Sequence, residues 1–110
     1  MRARLPSNKL GGTMYGLIGK ILATPGNRDA LAAILLEGIA GMPGCLSYIV
    51  AQDLANPDAL WVTEVWVGQA EHQASLALPS VRAAIAQARP IIAGFGERFE
   101  TEPMGGVGLA

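Results

Sequence analysis

The chain has 110 residues, enough for one hydrophobic core and too few for two. Apolar residues make up 51% of it and aromatic ones only 5%, so that core must be built from Ala, Leu, Ile and Val. Eight basic against nine acidic side chains give a net charge of -1 with no basic run, which speaks against a nucleic-acid partner. The lone Cys45 excludes an internal disulfide and suits a reducing compartment.

Residues 1–13 contain Arg2, Arg4 and Lys9 but no apolar segment of the kind a secretory signal needs. Met14 stands directly before the first periodic segment, as an alternative start would. Residues 1–13 therefore read as a flexible leader and residues 14–102 as the domain. The apolar stretches fall short of a membrane span, which takes about 20 residues. The expectation is a cytoplasmic protein with no membrane contact.

Tyr15 to Ala23 is short, apolar and partly β-branched, the pattern of a strand buried on both faces, and Thr24-Pro25-Gly26 breaks it. Asn27 is placed to cap a helix running to about Ala40, with Leu31, Ile34, Leu35 and Ile39 on one stripe. Gly41-Met42-Pro43-Gly44 ends that helix. Cys45 to Asp53 is a second strand, with Leu46, Tyr48, Val50 and Gln52 on one face. After the Asn56-Pro57-Asp58 turn, Ala59 to Val67 alternates most clearly of all. Leu60, Val62, Glu64 and Trp66 share one face, and Trp61, Thr63, Val65 and Val67 the other. The short connection predicts an antiparallel hairpin.

Gln69 to Ala77 reads as a short helix stopped before Pro79. Ser80 is placed to cap a second piece reaching about Ile92, its stripe being Val81, Ile85, Ala88 and Ile92, with Pro90 kinking the end. Phe95 to Thr101 alternates Phe95, Glu97 and Phe99 against Gly96, Arg98 and Glu100 as a last strand. Residues 103–110 form a glycine-rich tail, expected to be ordered only against a partner. Its Gly105-Gly106-Val107-Gly108 has no helix after it and so no phosphate cradle.

The predicted order is β-α-β-β-α-β, the split βαβ arrangement of a ferredoxin-like α+β fold with one four-stranded antiparallel sheet. Helices would cover one sheet face only, yet strands two and three are apolar on both. A second copy is the simplest cover, giving a homodimer with sheets stacked face to face as a dimeric α/β barrel.

His72 is the only histidine and hence the only side chain with an unperturbed pKa near neutrality. It is either a base in a pocket between helices and sheet or a half-exposed helix residue. Glu64, on an otherwise apolar face, needs a partner such as Arg82, Arg98 or Lys20, or lines a polar cavity. Trp66 and Tyr48 could stack on a planar substrate or pack as core or interface. Arg82 could meet an anionic substrate oxygen or lie in solvent. Cys45 has no basic neighbour in sequence and reads as packing.

Thr24-Pro25-Gly26 after the first strand, Met42-Pro43-Gly44-Cys45 before the second and Glu64-Val65-Trp66 leading into a helix before Pro79 resemble the antibiotic-biosynthesis monooxygenase domain family. The likeness is greatest to its small quinol-monooxygenase-like members and covers about residues 14–101. The resemblance implies a homodimeric barrel with a pocket in each protomer, where a quinol or phenolic aromatic is oxidised by molecular oxygen without metal, flavin or other cofactor. Many members carry histidines at the positions that fall here on Ser75 and Ser80, so only His72, one turn earlier, can take the substrate proton. Haem-degrading relatives use an asparagine where this chain has Gly19, and a tryptophan and a histidine in the helical region that it also lacks, which disfavours that chemistry. The expected roles are His72 as catalytic base, with Trp66, Tyr48, Glu64 and Arg82 binding a small aromatic substrate. The alternative is a non-catalytic dimer using the same cavity for a ligand. A ligand-sized cavity lined by His72 would favour the enzyme.

Overall fold

The strand with the clearest alternation, β3 (Ala59–Trp66), lies inside a four-stranded sheet in the computed structural model, which describes residues 13–38 and 41–109. It pairs antiparallel with β2 (Cys45–Gln52) on one side and β1 (Tyr15–Ala23) on the other, and β4 (Ile92–Thr101) pairs antiparallel with β1. The sheet order is β2-β3-β1-β4. Three helices, α1 (Arg28–Gly38), α2 (Gln69–Ser75) and α3 (Pro79–Ala88), complete the order β-α-β-β-α-α-β. This is the ferredoxin-like α+β arrangement, with the second crossover split into two helices. Apart from Thr13, the expected leader lies outside the described residues, as do Ile39 and Ala40, whereas Met14 is described and buried.

The core sits between the sheet and α1 with α3. Leu31 of α1 is wholly buried and packs with Ala23, Leu60 and Ala88. Ile34 and Leu35, one turn further along the predicted stripe, pack against that cluster while remaining partly exposed. The two long helices approach closely because Gly38 has no side chain: a Cβ there would lie 2.6 Å from that of Ala84. Asn27 precedes α1, where its carbonyl accepts the Leu31 N–H at 2.9 Å and its side-chain amide donates to Thr24 Oγ1 at 2.8 Å.

Asp53 closes the β2–β3 hairpin. Its carboxylate accepts the Ala55 N–H at 2.7 Å, the Asn56 N–H at 3.2 Å and the Trp61 indole N–H at 2.9 Å, which hold its pKa below the usual carboxylate range. The Arg28 guanidinium donates to the Asp53 and Asn56 carbonyls, tying the start of α1 to the same turn.

The second half of the chain departs from the sequence reading in three places. Ser80 does not cap: α3 begins at Pro79, which follows the extended Leu78, and no side chain caps it. A proline without an N–H loses nothing at a first helical position. Pro90 does not kink α3 either, because that helix stops at Ala88 and the proline lies in a 3-10 turn over Arg89–Ile91. Finally, β4 starts at Ile92 rather than Phe95 and carries two register shifts against β1. Gly19 pairs with Arg98 but Ile21 pairs with Phe95, so β4 holds an extra residue there. An extra residue reverses the alternation beyond it. Phe95 therefore shares the helix side of the sheet with Ile21, whereas Phe99 lies opposite Ile18 on the far side.

That far side carries a row running Ile49, Thr63, Ile18, Phe99 across all four strands. Ile49 is 56% exposed and Phe99 52%. Ile18 and Thr63 between them are half-buried, so two large exposed apolar side chains stand on the outer strands of one sheet face.

Candidate functional site

Cross-strand register brings the site together. On the helix side, Tyr48 pairs with Glu64 and Glu64 with Leu17, while the next row pairs Cys45 with Trp66 and Trp66 with Tyr15. Side chains directly opposite one another on one face lie in contact range, so the phenol of Tyr48, the carboxylate of Glu64 and the indole of Trp66 are neighbours. Over them comes α2, separated from β3 by two residues, which places His72 and Ser75 above the same rows. The approach of α2 depends on Gly44, whose φ is +81° and whose Cβ, were there one, would meet Glu71 Cβ at 2.7 Å.

Trp66, fully buried, donates its indole N–H to Glu64 Oε1 at 2.9 Å. The same oxygen lies 4.0 Å from His72 Nε2, too far for a hydrogen bond. The imidazole meets Trp66 edge-on, with ring centroids 5.4 Å apart, and Tyr15 at a tilt of 42° with centroids 5.6 Å apart. Tyr15 is anchored in turn by donating its hydroxyl to Glu100, which also raises its pKa. His72 Nδ1 is buried without a hydrogen-bond partner among the described residues. Ser75, buried, donates its hydroxyl to the His72 carbonyl at 2.6 Å and so fastens α2 rather than offering its proton to the cavity.

Tyr48, Glu64, Trp66, His72 and Ser75 line a cavity of about 310 Å³ between sheet and helices, at the lower end of the roughly 300–1,000 Å³ usual for small-molecule sites. Its remaining wall is apolar, with Leu35, Met42, Val81, Ile85 and Phe95 among its members. A second hollow of about 280 Å³ shares Ile21, Tyr48, Glu64 and Phe95 with it and extends over Gly19 to Glu97 and Arg98. Burial, and secondarily the Glu64 charge, push the Tyr48 pKa well up, so its hydroxyl stays a neutral hydrogen-bonding group. Burial, then the same charge, also raises the Cys45 thiol, which donates to the Ser47 carbonyl at 3.6 Å. That contact is packing.

Four of the five expected site residues thus meet at one cavity: His72, Glu64, Trp66 and Tyr48. Arg82 is not among its lining residues. It is exposed and lines a separate groove with Ile85, Ala86 and Arg89. Glu64 is partnered by Trp66 and faced by His72, rather than paired with Arg82, Arg98 or Lys20; Lys20 turns instead to Asp53 at 3.7 Å. The sequence reading missed Tyr15, the second wall of the His72 slot. Its signal lies only in the register that sets it opposite Trp66. Among the described residues no cluster of three or more His, Cys, Asp or Glu side chains could hold a metal ion, and no helix is long and apolar enough to cross a membrane.

Fold and cavity together define a ferredoxin-like domain with a mostly apolar, small-molecule-sized pocket whose few polar groups converge on one histidine. The chain belongs to the antibiotic biosynthesis monooxygenase family, whose model matches residues 14–87. It is similar to a protein from Chloroflexus aurantiacus named for the same family, at 62% identity and a TM-score of 0.87, over 89% of this chain and 100% of the other. A structure from Caulobacter crescentus, also named for the family, shares the fold at 18% identity and a TM-score of 0.71, over 89% of this chain and 95% of its own. One from Methanosarcina mazei shares it at 16% identity and a TM-score of 0.72, over 82% and 92%. No curated protein matches the sequence.

Proposed function

We propose that the protein is a cofactor-independent monooxygenase that oxidises a quinol or phenolic aromatic with molecular oxygen. The observation that carries this reading is the 4.0 Å gap between Glu64 Oε1 and His72 Nε2 at the wall of an otherwise apolar cavity. At that distance Glu64 leaves Nε2 able to accept a proton from a substrate oxygen on its cavity side, and the carboxylate itself need not touch that oxygen. A substrate hydroxyl there is in reach of His72 as proton acceptor, and the Glu64 carboxylate favours the imidazolium that forms. Trp66 and Tyr48 shape the slot for a planar ring.

The resulting phenolate is electron-rich enough to reduce oxygen itself. One electron passes to O2, and the superoxide and phenoxyl radicals join at a ring carbon that bears hydrogen. The proton held by His72 completes the hydroperoxide. Loss of the ring C–H proton with cleavage of the O–O bond then leaves a quinone and one water, so both oxygen atoms and all four electrons are accounted for. The apolar walls keep bulk water from the intermediates.

The test is oxygen uptake by purified protein with reduced naphthoquinols and anthrols, without added metal, flavin or nicotinamide. Saturable uptake above autoxidation, with quinone formed, is the expected result. Saturable binding of the same compounds without uptake would turn the reading to a ligand-binding protein. Ser75 favours that second reading, since its hydroxyl is already spent on the His72 carbonyl.

The working unit in this proposal is a homodimer joined through the far sheet face. The row of Ile49, Thr63, Ile18 and Phe99 supports it. Phe99→Asp should convert a dimer into a monomer in sedimentation equilibrium, and a native chain that sediments as a monomer overturns the dimer.

A further inference from the structure

We infer that Arg82 and Arg89 form a cationic subsite at the mouth of the cavity, which takes the anionic arm of an aromatic substrate; this rests on the aromatic-cavity reading above. Arg82, Ile85 and Ala86 share one face of α3, and with Arg89 of the turn that follows they line one groove of about 360 Å³. A neighbouring hollow of about 400 Å³ shares Ile85 and Arg89 with it and continues to Ile92 and Phe95. Ile85, Ile92 and Phe95 are also wall residues of the deep cavity. The three spaces therefore adjoin across an apolar threshold, where Ile85 is 41% exposed and Phe95 72%.

The charges on this rim are of one sign. Among the described residues no Asp or Glu lines either hollow, and neither arginine takes part in an ion pair. In a chain of net charge -1, two unneutralised guanidiniums beside an apolar mouth are a local excess of positive charge. A carboxylate drawn into the deep cavity would lose its hydration and meet the Glu64 charge. At the rim the same group keeps water and gains planar donors suited to it. A ligand of matching shape has fused aromatic rings for the cavity and a carboxylate on a short chain for the rim.

The experiment titrates the intrinsic tryptophan fluorescence of the full chain with a hydroxynaphthyl butyric acid and with its uncharged primary amide. The acid should bind roughly three- to tenfold more tightly at low salt, as expected for two exposed charged contacts, and high salt should narrow the difference. In the Arg82→Gln/Arg89→Gln double variant the acid should weaken to the affinity of the amide. The amide titration reports that the cavity is still folded. Equal affinity of acid and amide for the native chain overturns the subsite and leaves the aromatic cavity standing. An acid preference that survives the double substitution overturns it as well, because the anion is then held elsewhere. Binding of neither compound overturns the subsite and the cavity reading together.

Discussion

The layer between sheet and helices has two ends that differ in kind although the same strands floor both. At one end Leu60 and Ala23 meet Leu31 of α1 and Ala88 of α3, and the space is closed. Two rows further along β3, Glu64 and Trp66 face His72 and Ser75 of α2 across a cavity. The long helices α1 and α3, which approach closely through Gly38 and Ala84, roof the closed end and reach on over the cavity. At the hollow end they are joined by the seven-residue α2, whose inward side chains are polar: Ser75 is bonded to the His72 carbonyl, and the His72 ring stands 4.0 Å from Glu64. Close packing needs side chains free to settle into contact. Where hydrogen bonds set the positions instead, as for Trp66, Glu64 and Ser75, space is left over, and that space is the candidate site.

This contrast can be broken or sharpened by substitution. The largest effect is expected from His72→Ala: a loss of turnover of at least about a hundredfold, the usual contribution of a positioned base, with the melting temperature nearly unchanged. Retained turnover in that variant removes His72 from the chemistry. Leu31→Ala should do the reverse, costing about 2–5 kcal/mol of stability in denaturant unfolding, as for a leucine cut from a full core, while ligand affinity of the folded fraction stays the same. Equal loss of both properties would mean that the two ends are coupled. A smaller effect is expected from Glu64→Gln, which keeps an oxygen for the Trp66 indole but removes the charge facing the imidazole. Turnover should fall by roughly ten- to a hundredfold, with KM little changed.

The smallest effect concerns Asp53, which belongs to neither end. Its pKa is depressed in the folded chain, so its hydrogen bonds contribute stability above the unfolded carboxylate value and lose it as the pH falls through the lower folded one. Asp53→Asn should therefore lower the melting temperature at neutral pH, and the gap from the native chain should close as the pH drops below about 4. A gap that is constant with pH would assign the loss to hairpin geometry rather than to charge.

Much of the closed end was legible in the sequence. The 3.6-residue stripe through Leu31, Ile34 and Leu35 and the two-residue alternation of Leu60, Val62, Glu64 and Trp66 are local patterns, and each names the face it buries. From them the β-α-β-β-α-β order and the antiparallel hairpin followed, and so did a short list of polar residues left on apolar faces. Four of those residues do share a cavity, because a carboxylate or an imidazole on a buried face has few other places to go.

Only the tertiary structure decided the rest. Tyr15 stands beside His72 because β1 pairs in register with β3, and register is a property of two strands at once. Phe95 and Phe99 lie on opposite sides of the sheet because β4 bulges against β1, although their own alternation puts them together. Arg82 lies on the rim rather than inside because α3 turns its Val81 and Ala84 face to the cavity. Periodicity along one segment fixes which residues are alike in direction, but which neighbour they meet depends on pairing between distant segments, and one strand's pattern carries no trace of that.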